Sequence, residues 1–461
     1  MSETALILAA GMGTRMKSRL AKVLHPVLGW PMVRHAVEAC QAAGLSVRVV
    51  VNHQEDAVRA ALADCGVAFT RQSEPRGTGH AVLSALADLP ADGTLLVLPG
   101  DAPLLRTETL QALRAAHRGR AVTCLSVVLP DGADYGRIVR DDGPLRIVEA
   151  AELSPGRLAA LREVNTGVYA FDLAFVHAAV PTLRPHPPKG EVYLTDLLEL
   201  AWAEGRAAVL VHEGDPAEVM GVNDRWSLSQ AEAALGQRLK QQWALAGVSF
   251  QDPASTRVEV EVRLAQDVTI GPGCVLGRGT VLHEGVTVGP HCVLSRCEIG
   301  PGAEVLAHSV VDGATVATGA HVGPFARLRP GARLEEGARV GNFVEVKAAV
   351  IERGAKVNHL SYVGDARVGA GANVGAGTIT CNYDGVRKHR TDIGAGAFIG
   401  SNTALVAPVS VGEGAIVGAG SVIVQDVPAD ALALARGQQV NKPGMARRIR
   451  ARNEELAGKR G

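Results

Sequence analysis

At 461 residues the chain is long enough for two or three domains with their own cores. Its 47 Lys plus Arg against 47 Asp plus Glu leave no overall field that would favour nucleic acid or a membrane surface. Seven cysteines show neither C-x-x-C nor H-x-C spacing, which argues against zinc fingers and a disulfide framework and makes a reducing cytosol the default compartment. The opening MSETALILAAG lacks a basic region and a cleavage site. No apolar run reaches the roughly 18 residues of a membrane span, so neither a signal peptide nor a transmembrane helix is expected. Aromatics are only 3% while glycine reaches 53 residues, so part of the chain must be built without a conventional large-residue core.

From Thr4 to about Val222, apolar runs alternate with amphipathic stretches. The first run, ALILAA, ends in Gly11 and Gly13 with Thr14 and Arg15 behind them. A dinucleotide fingerprint would need glycine where Met16 stands, and a P-loop would need G-K-[ST], so neither motif fits. What remains is a strand opening into a flexible loop that carries a cation, an arrangement suited to a nucleoside triphosphate. PMVRHAVEACQAAG, with Pro31 at its start and Gly44 at its end, predicts a helix, and GHAVLSALADL predicts another. Val47–Asn52 and Thr94–Asp101 read as buried strands. Strands separated by helices imply a parallel, doubly wound α/β sheet with its ligand at the strand C-termini. Trp226 to Ala246 has helical periodicity and reads as a connector.

After Asp252 the pattern changes. Ile270, Leu276, Leu282, Val288 and Leu294 recur every six residues, as do Val316 through Val346 and Ile393 through Ile423. A strict hexad is the mark of a parallel β-helix that stacks aliphatics coil on coil. The register slips by one residue at Ile299, Ile351 and Val368, and it breaks at the polar, basic insert CNYDGVRKHR, Cys381 to Arg390. The tail KPGMARRIRARNEELAGKR is basic, with mobility expected at its end.

In order along the chain, LAAGMGTRM, AKVLHPVLG, QSEPRGTGHAV, PGDAPLL, YGRIV, EVNTGVYAF and GVND precede hexads containing LRPGA, VGNFVEVK, NHLSYVGDA and GAGTITCNYDG. This set resembles the family of bifunctional bacterial N-acetylglucosamine-1-phosphate uridyltransferase/glucosamine-1-phosphate N-acetyltransferases, over nearly the whole chain. The resemblance implies a Rossmann-like uridylyltransferase domain at 1–225, a helical linker at 226–249, and a left-handed β-helix acetyltransferase domain at 250–461. It further implies a cytoplasmic homotrimer that makes UDP-N-acetylglucosamine for envelope polymers, with no nucleic acid or membrane partner. Met12 and Pro99 stand where relatives carry lysine and tyrosine.

The two chemistries ask for different residues. A sugar-1-phosphate oxygen is already anionic, so its attack on UTP needs alignment and charge neutralisation rather than a base. Arg15 and Lys22 are the candidate cations, Gly11 allows close backbone approach, and Asp101 ends an apolar strand where a carboxylate can hold Mg²⁺. The resemblance adds Asn223 to the metal site, Gln72, Gly77 and Thr78 as the uracil reader, Gly136, Glu149 and Asn165 as sugar contacts, and Leu8 in the nucleotide site. Acetyl transfer to an amine that is largely protonated at neutral pH calls for a base, and histidine is the natural one. By resemblance that base is His359, with Arg329 and Lys347 as a sugar-phosphate clamp and Tyr362 and Asn373 in the same site. The resemblance also places Asn382 and Tyr383 where they orient base and substrate beside acetyl-CoA, which lies along Ala376, Ser401, Ala419 and Arg436. Glu345 and Lys388 are further candidates for supporting or anion contacts. Two rival readings stand at this point. One is a single-activity sugar nucleotidyltransferase whose solenoid serves assembly or regulation. The other is a nucleotide-sensing protein with a degenerate site.

Overall fold

A computed structural model of the chain describes residues 3–140, 143–187 and 190–458. The end of the tail, residues 459–461, where mobility is expected, lies outside them. The chain divides into two compact units. One runs up to Gln242 and includes Val258–Val260, and the other comprises Trp243–Arg257 and the residues from Glu261 onward.

In the first unit the apolar runs become strands β1 (Glu3–Leu8), β2 (Ser46–Val51), β3 (Ala68–Arg71), β4 (Thr94–Pro99), β5 (Val122–Val128), β6 (Glu163–Asp172) and β7 (Ala207–His212). Their order across the sheet is β7-β5-β6-β4-β1-β2-β3. Successive side chains of a strand point to opposite faces, and both faces of this sheet are covered. Ala5 and Ile7 of β1 join Val49, Leu96, Val33 and Leu110 on one side, where helices Met32–Ala42 and Thr107–Ala116 pack. Leu6 joins Val50, Leu95, Val82 and Leu197 on the other, beneath helices Thr78–Ala85 and Asp196–Ala203. This is the doubly wound α/β architecture that the alternation of runs predicts. One strand departs from the parallel pattern, since β6 runs antiparallel to both β4 and β5. It also carries a short antiparallel pair, Arg137–Val139 with Arg146–Val148.

The crossover from β1 to β2 leaves on one side, and β3 returns the chain to β4 on the other side of β1. The C-terminal ends of β1 and β4 therefore bound the switch-point crevice. Helix Arg225–Leu245 then packs Ala231 and Leu235 against Val27, Met32, Leu104 and Val222.

The second unit is a solenoid of three parallel sheets with eleven, ten and nine strands. Ile270, Val288, Val305, Val322, Val340, Val357, Val374, Ile399 and Val417 stack in register down one sheet, all buried. Alanines two residues earlier, such as Ala320, Ala338 and Ala355, are buried as well. Small and branched side chains thus fill the interior, which accounts for a glycine-rich, aromatic-poor composition. The slips in the hexad are coils shortened by one residue: Leu282 pairs with Ile299, Leu334 with Ile351, and Ile351 with Val368. The insert leaves the stack between strands Ile379–Cys381 and Thr391–Ile393. It folds back as a hairpin closed by a Tyr383–Lys388 bridge and a hydrogen bond of 2.8 Å from the His389 N–H to the Asn382 carbonyl. Among the described residues no helix is long and apolar enough to cross a membrane.

Candidate active sites

The crevice of the first unit is a cavity of about 830 Å³. Leu8, Gly11, Lys22, Gln72, Gly77, Thr78, Asp101, Glu149 and Asn165 all line it. Its base is set by the ends of β1 and β4, where Gly100 N–H donates to the Leu8 carbonyl at 3.0 Å. Gly13 has a left-handed backbone, φ +65°, and packs on Lys22 so closely that a Cβ there would strike the Lys22 Cβ. That contact fixes the root of a lysine whose Nζ pairs with the Asp101 carboxylate and donates to Asn223 Oδ1 at 3.1 Å. Arg15 Nη2 donates to the same Oδ1 at 3.0 Å. Arg15 and Asn223 thus stand at the cavity's edge, joined to its lining through Lys22. Asp101 and Asn223 are held together because Val222 N–H donates to the Asp101 carbonyl at 2.8 Å. Both present oxygen donors to one cationic head, the donor type that suits a hard divalent ion.

Gln72 is buried at the end of β3 and donates from Nε2 to the Gly77 carbonyl at 3.2 Å, with His80 Nδ1 3.1 Å away. Thr78 Oγ1 accepts from Leu194 N–H at 3.1 Å, which ties the first turn of its helix to the far wall. Asn165 sits where the β5–β6 register shifts. Its Oδ1 accepts from Gly167 N–H at 3.0 Å and from the Tyr169 hydroxyl at 2.9 Å, leaving the amide N–H₂ as the donor to the cavity. Glu149 lies near Gly136, and its carboxyl is raised above the ordinary range by burial and by Glu152, Glu191 and Asp196. Pro99 also lines the cavity, while Met12 is exposed.

In the solenoid two groups of predicted residues come together on stacked coils. Arg329 Nη1 donates to Glu345 Oε1 at 2.7 Å, and Glu345 pairs in register with Tyr362 one coil on. Lys347 Nζ lies 3.4 Å from Asp365 Oδ2, which also accepts from Asn382 Nδ2 at 2.5 Å. Asn382 reaches the Tyr362 hydroxyl at 3.5 Å as well, so one carboxylate ties the insert to the body of the solenoid. On the insert Lys388 Nζ stands 4.2 Å over the Tyr383 ring. His359 lies on a neighbouring sheet, exposed, with Nδ1 2.6 Å from Asn342 Oδ1. Asn373 is on that same sheet, paired with Lys356. Among the described residues no hydrogen bond joins His359 to Lys347, Asn382 or Tyr383, which it was expected to neighbour. Ala376, Ser401 and Ala419 follow one another on successive coils, and Arg436 Nη1 donates to the Ala419 carbonyl at 2.8 Å.

Comparison with known proteins bears on both units. A family described as MobA-like NTP transferase domain matches residues 5–246, and one described as bacterial transferase hexapeptide (six repeats) matches residues 390–425. Bifunctional protein GlmU of Trichlorobacter lovleyi is 46% identical over 447 residues, covering 95% of this chain and 97% of that one. A Thermus thermophilus protein of the same name is 49% identical over 449 residues, 96% and 98% of the two chains. That of Syntrophotalea carbinolica is 48% identical over 440 residues, 94% and 95%. The chain belongs to the bifunctional GlmU family. It is a two-activity transferase that acetylates glucosamine-1-phosphate and then uridylylates the product to UDP-N-acetylglucosamine. Nucleoside triphosphate and acyl-CoA are the substrate classes of a GlmU chain. Membership removes the single-activity and sensor readings.

Several residues in these candidate sites escape a reading of the sequence. Arg137, only 1% exposed, donates to the carbonyls of Gly132 at 2.9 Å, Ala133 at 3.0 Å, Leu161 at 2.8 Å and also Tyr135. It cages the loop that brings the Tyr135 hydroxyl 3.4 Å from Asn223 Nδ2. His80, Tyr169, Asn342 and Asp365 act on predicted residues in the same indirect way. The motifs YGRIV and NHLSYVGDA contain Arg137 and Asp365, but only the fold shows what they hold.

Proposed function

We propose that the two reactions are divided between the units, uridylyl transfer in the first and acetyl transfer at the solenoid. In the first unit, Arg15 and Lys22 neutralise the triphosphate of UTP, Gly11 lets the backbone approach it, and Gln72, Gly77 and Thr78 seat the uracil. Glu149, Gly136 and Asn165 bind N-acetylglucosamine-1-phosphate, whose phosphate oxygen attacks the α-phosphorus and releases pyrophosphate. Asp101 and Asn223 would hold Mg²⁺, which when bound supplies charge neutralisation between the phosphates. The observation that carries this reading is the convergence of Asp101, Asn223, Arg15 and Lys22 at the cavity mouth.

In the solenoid, Arg329 and Lys347 clamp the phosphate of glucosamine-1-phosphate beside Tyr362 and Asn373. His359 takes the proton from its ammonium group, and the freed amine attacks the thioester carbonyl of acetyl-CoA. The C–S bond breaks and CoA leaves with a proton. Acetyl-CoA lies along Ala376, Ser401, Ala419 and Arg436 and against Asn382 and Tyr383, in a cytosolic homotrimer. The test is to incubate the purified protein with glucosamine-1-phosphate, acetyl-CoA, UTP and Mg²⁺ and to measure CoA and pyrophosphate together. His359→Ala is expected to lower CoA release by about 10²–10⁴-fold and leave pyrophosphate release from the acetylated sugar unchanged. Equal loss of both in a folded variant would refute the assignment.

A further inference from the structure

Asn342 and His359 stand one coil apart and in register, because strand Arg339–Asn342 pairs with strand Lys356–His359. The coils close tightly here, since a Cβ at Gly341 would collide with the Asn358 carbonyl. Asn342 Oδ1 lies 2.6 Å from His359 Nδ1, whereas His359 Nε2 has no protein partner among the described residues. The other histidines of the unit are held differently. His283, His321 and His389 meet the carboxylates of Glu298, Glu304 and Asp384 at 2.9, 3.0 and 2.6 Å. His291 and His308 stack on one another with ring centroids 5.1 Å apart. A carboxylate favours the doubly protonated ring. An amide oxygen carries no full charge and acts chiefly by choosing which nitrogen of the neutral ring bears the proton.

We infer that Asn342 is a positioning residue that holds His359 as the Nδ1–H tautomer, so that Nε2 keeps its lone pair for the ammonium proton of the amino-sugar phosphate. The inference rests on the reading of His359 as the base of acetyl transfer. Asp at position 342 gives an internal standard, because a carboxylate can only accept while an amide can present either end. Solid-state ¹⁵N spectra of full-length protein labelled in its histidine rings, at about pH 9 where an ordinary histidine is neutral, report the tautomer directly. Subtracting the spectrum of His359→Ala assigns the residue. The wild type and Asn342→Asp are expected to share a protonated Nδ1 and a bare Nε2 at His359, and Asn342→Ala is expected to lose that pattern. Asn342→Ala should also lower kcat for acetyl transfer by about tenfold, with KM for glucosamine-1-phosphate and the rate of uridylyl transfer unchanged. A proton on Nε2 in the wild type, or an Asn342→Ala enzyme with unchanged kcat, overturns the inference. Acetyl transfer that survives His359→Ala would instead overturn the assignment of the base, and the spectra would still report the tautomer.

Discussion

At the level of single residues the proposed uridylyl site is an electrostatic construction. Asp101 takes Lys22, and Asn223 takes both Lys22 and Arg15, so each polar atom that could neutralise a phosphate is already oriented by another. Asp101→Asn keeps the shape and removes the charge. It is expected to lower uridylyl transfer by at least about 10²-fold, with acetyl transfer intact, in parallel assays of the same preparation. Glu149 offers a test through pH. Its carboxyl is raised in the folded chain, so between about pH 4.3, the ordinary glutamate value, and its folded value the native state binds more protons than the unfolded state. Stability from this group is therefore lost as pH rises through that window. Glu149→Gln never ionises, so its urea midpoint is expected to gain on the wild type as pH rises from about 4.3 through the folded value. A difference that stays constant across that range would contradict the assigned shift. Lys22, Asp101 and Gln72 were legible as candidates because their motifs announce them, and all three line the cavity. Arg137, Tyr169 and Asp365 were not, because each acts on a neighbour through the fold. Arg137 in particular meets backbone carbonyls, and no side-chain pattern in a sequence encodes such partners.

Among the elements, the solenoid was the more readable, since six-residue spacing is a direct projection of its coils. Even the slips at Ile299, Ile351 and Val368 correspond to shortened turns. The antiparallel direction of β6 was not readable. EVNTGVYAF is as good a strand in either direction, and its orientation follows from where the chain enters the sheet. The Asn342–His359 pairing lay between these cases, because it follows once the length of that coil is known. The interior stack also sets a stability prediction. Ile351 is fully buried between Leu334 and Val368, and truncation to alanine should cost about 2–5 kcal/mol. Coils contact only their neighbours, so the loss falls on the solenoid. After stepwise heating, Ile351→Ala is expected to lose acetyl transfer at a lower temperature than the wild type while uridylyl transfer is lost at the same temperature. A shift in both would show that the two units unfold together.

For the whole molecule, the division into two compact units fits the proposed division of labour between two reactions that share only an intermediate. The first unit has its own cavity, whereas the short strands of the solenoid bond their backbone to the coils above and below and turn only their outward side chains to a ligand. Acetyl transfer, and not uridylyl transfer, is therefore expected to depend on assembly of the proposed homotrimer. Activity would be followed on dilution beside sedimentation, and a monomer that acetylates at the trimer's rate would place that site within one subunit. The in-register stacking of the solenoid has one more consequence. Adjacent strands of a sheet are about 4.8 Å apart, so Ala376, Ser401 and Ala419 mark the axis like graduations on a ruler. An extended ligand lying beside them is measured in whole strand spacings. Removing one complete coil would change its reach by a single graduation and leave every inward column aligned. Removing a single residue from a turn would change no length and would keep the column inward, as the shortened coils at Ile299, Ile351 and Val368 do.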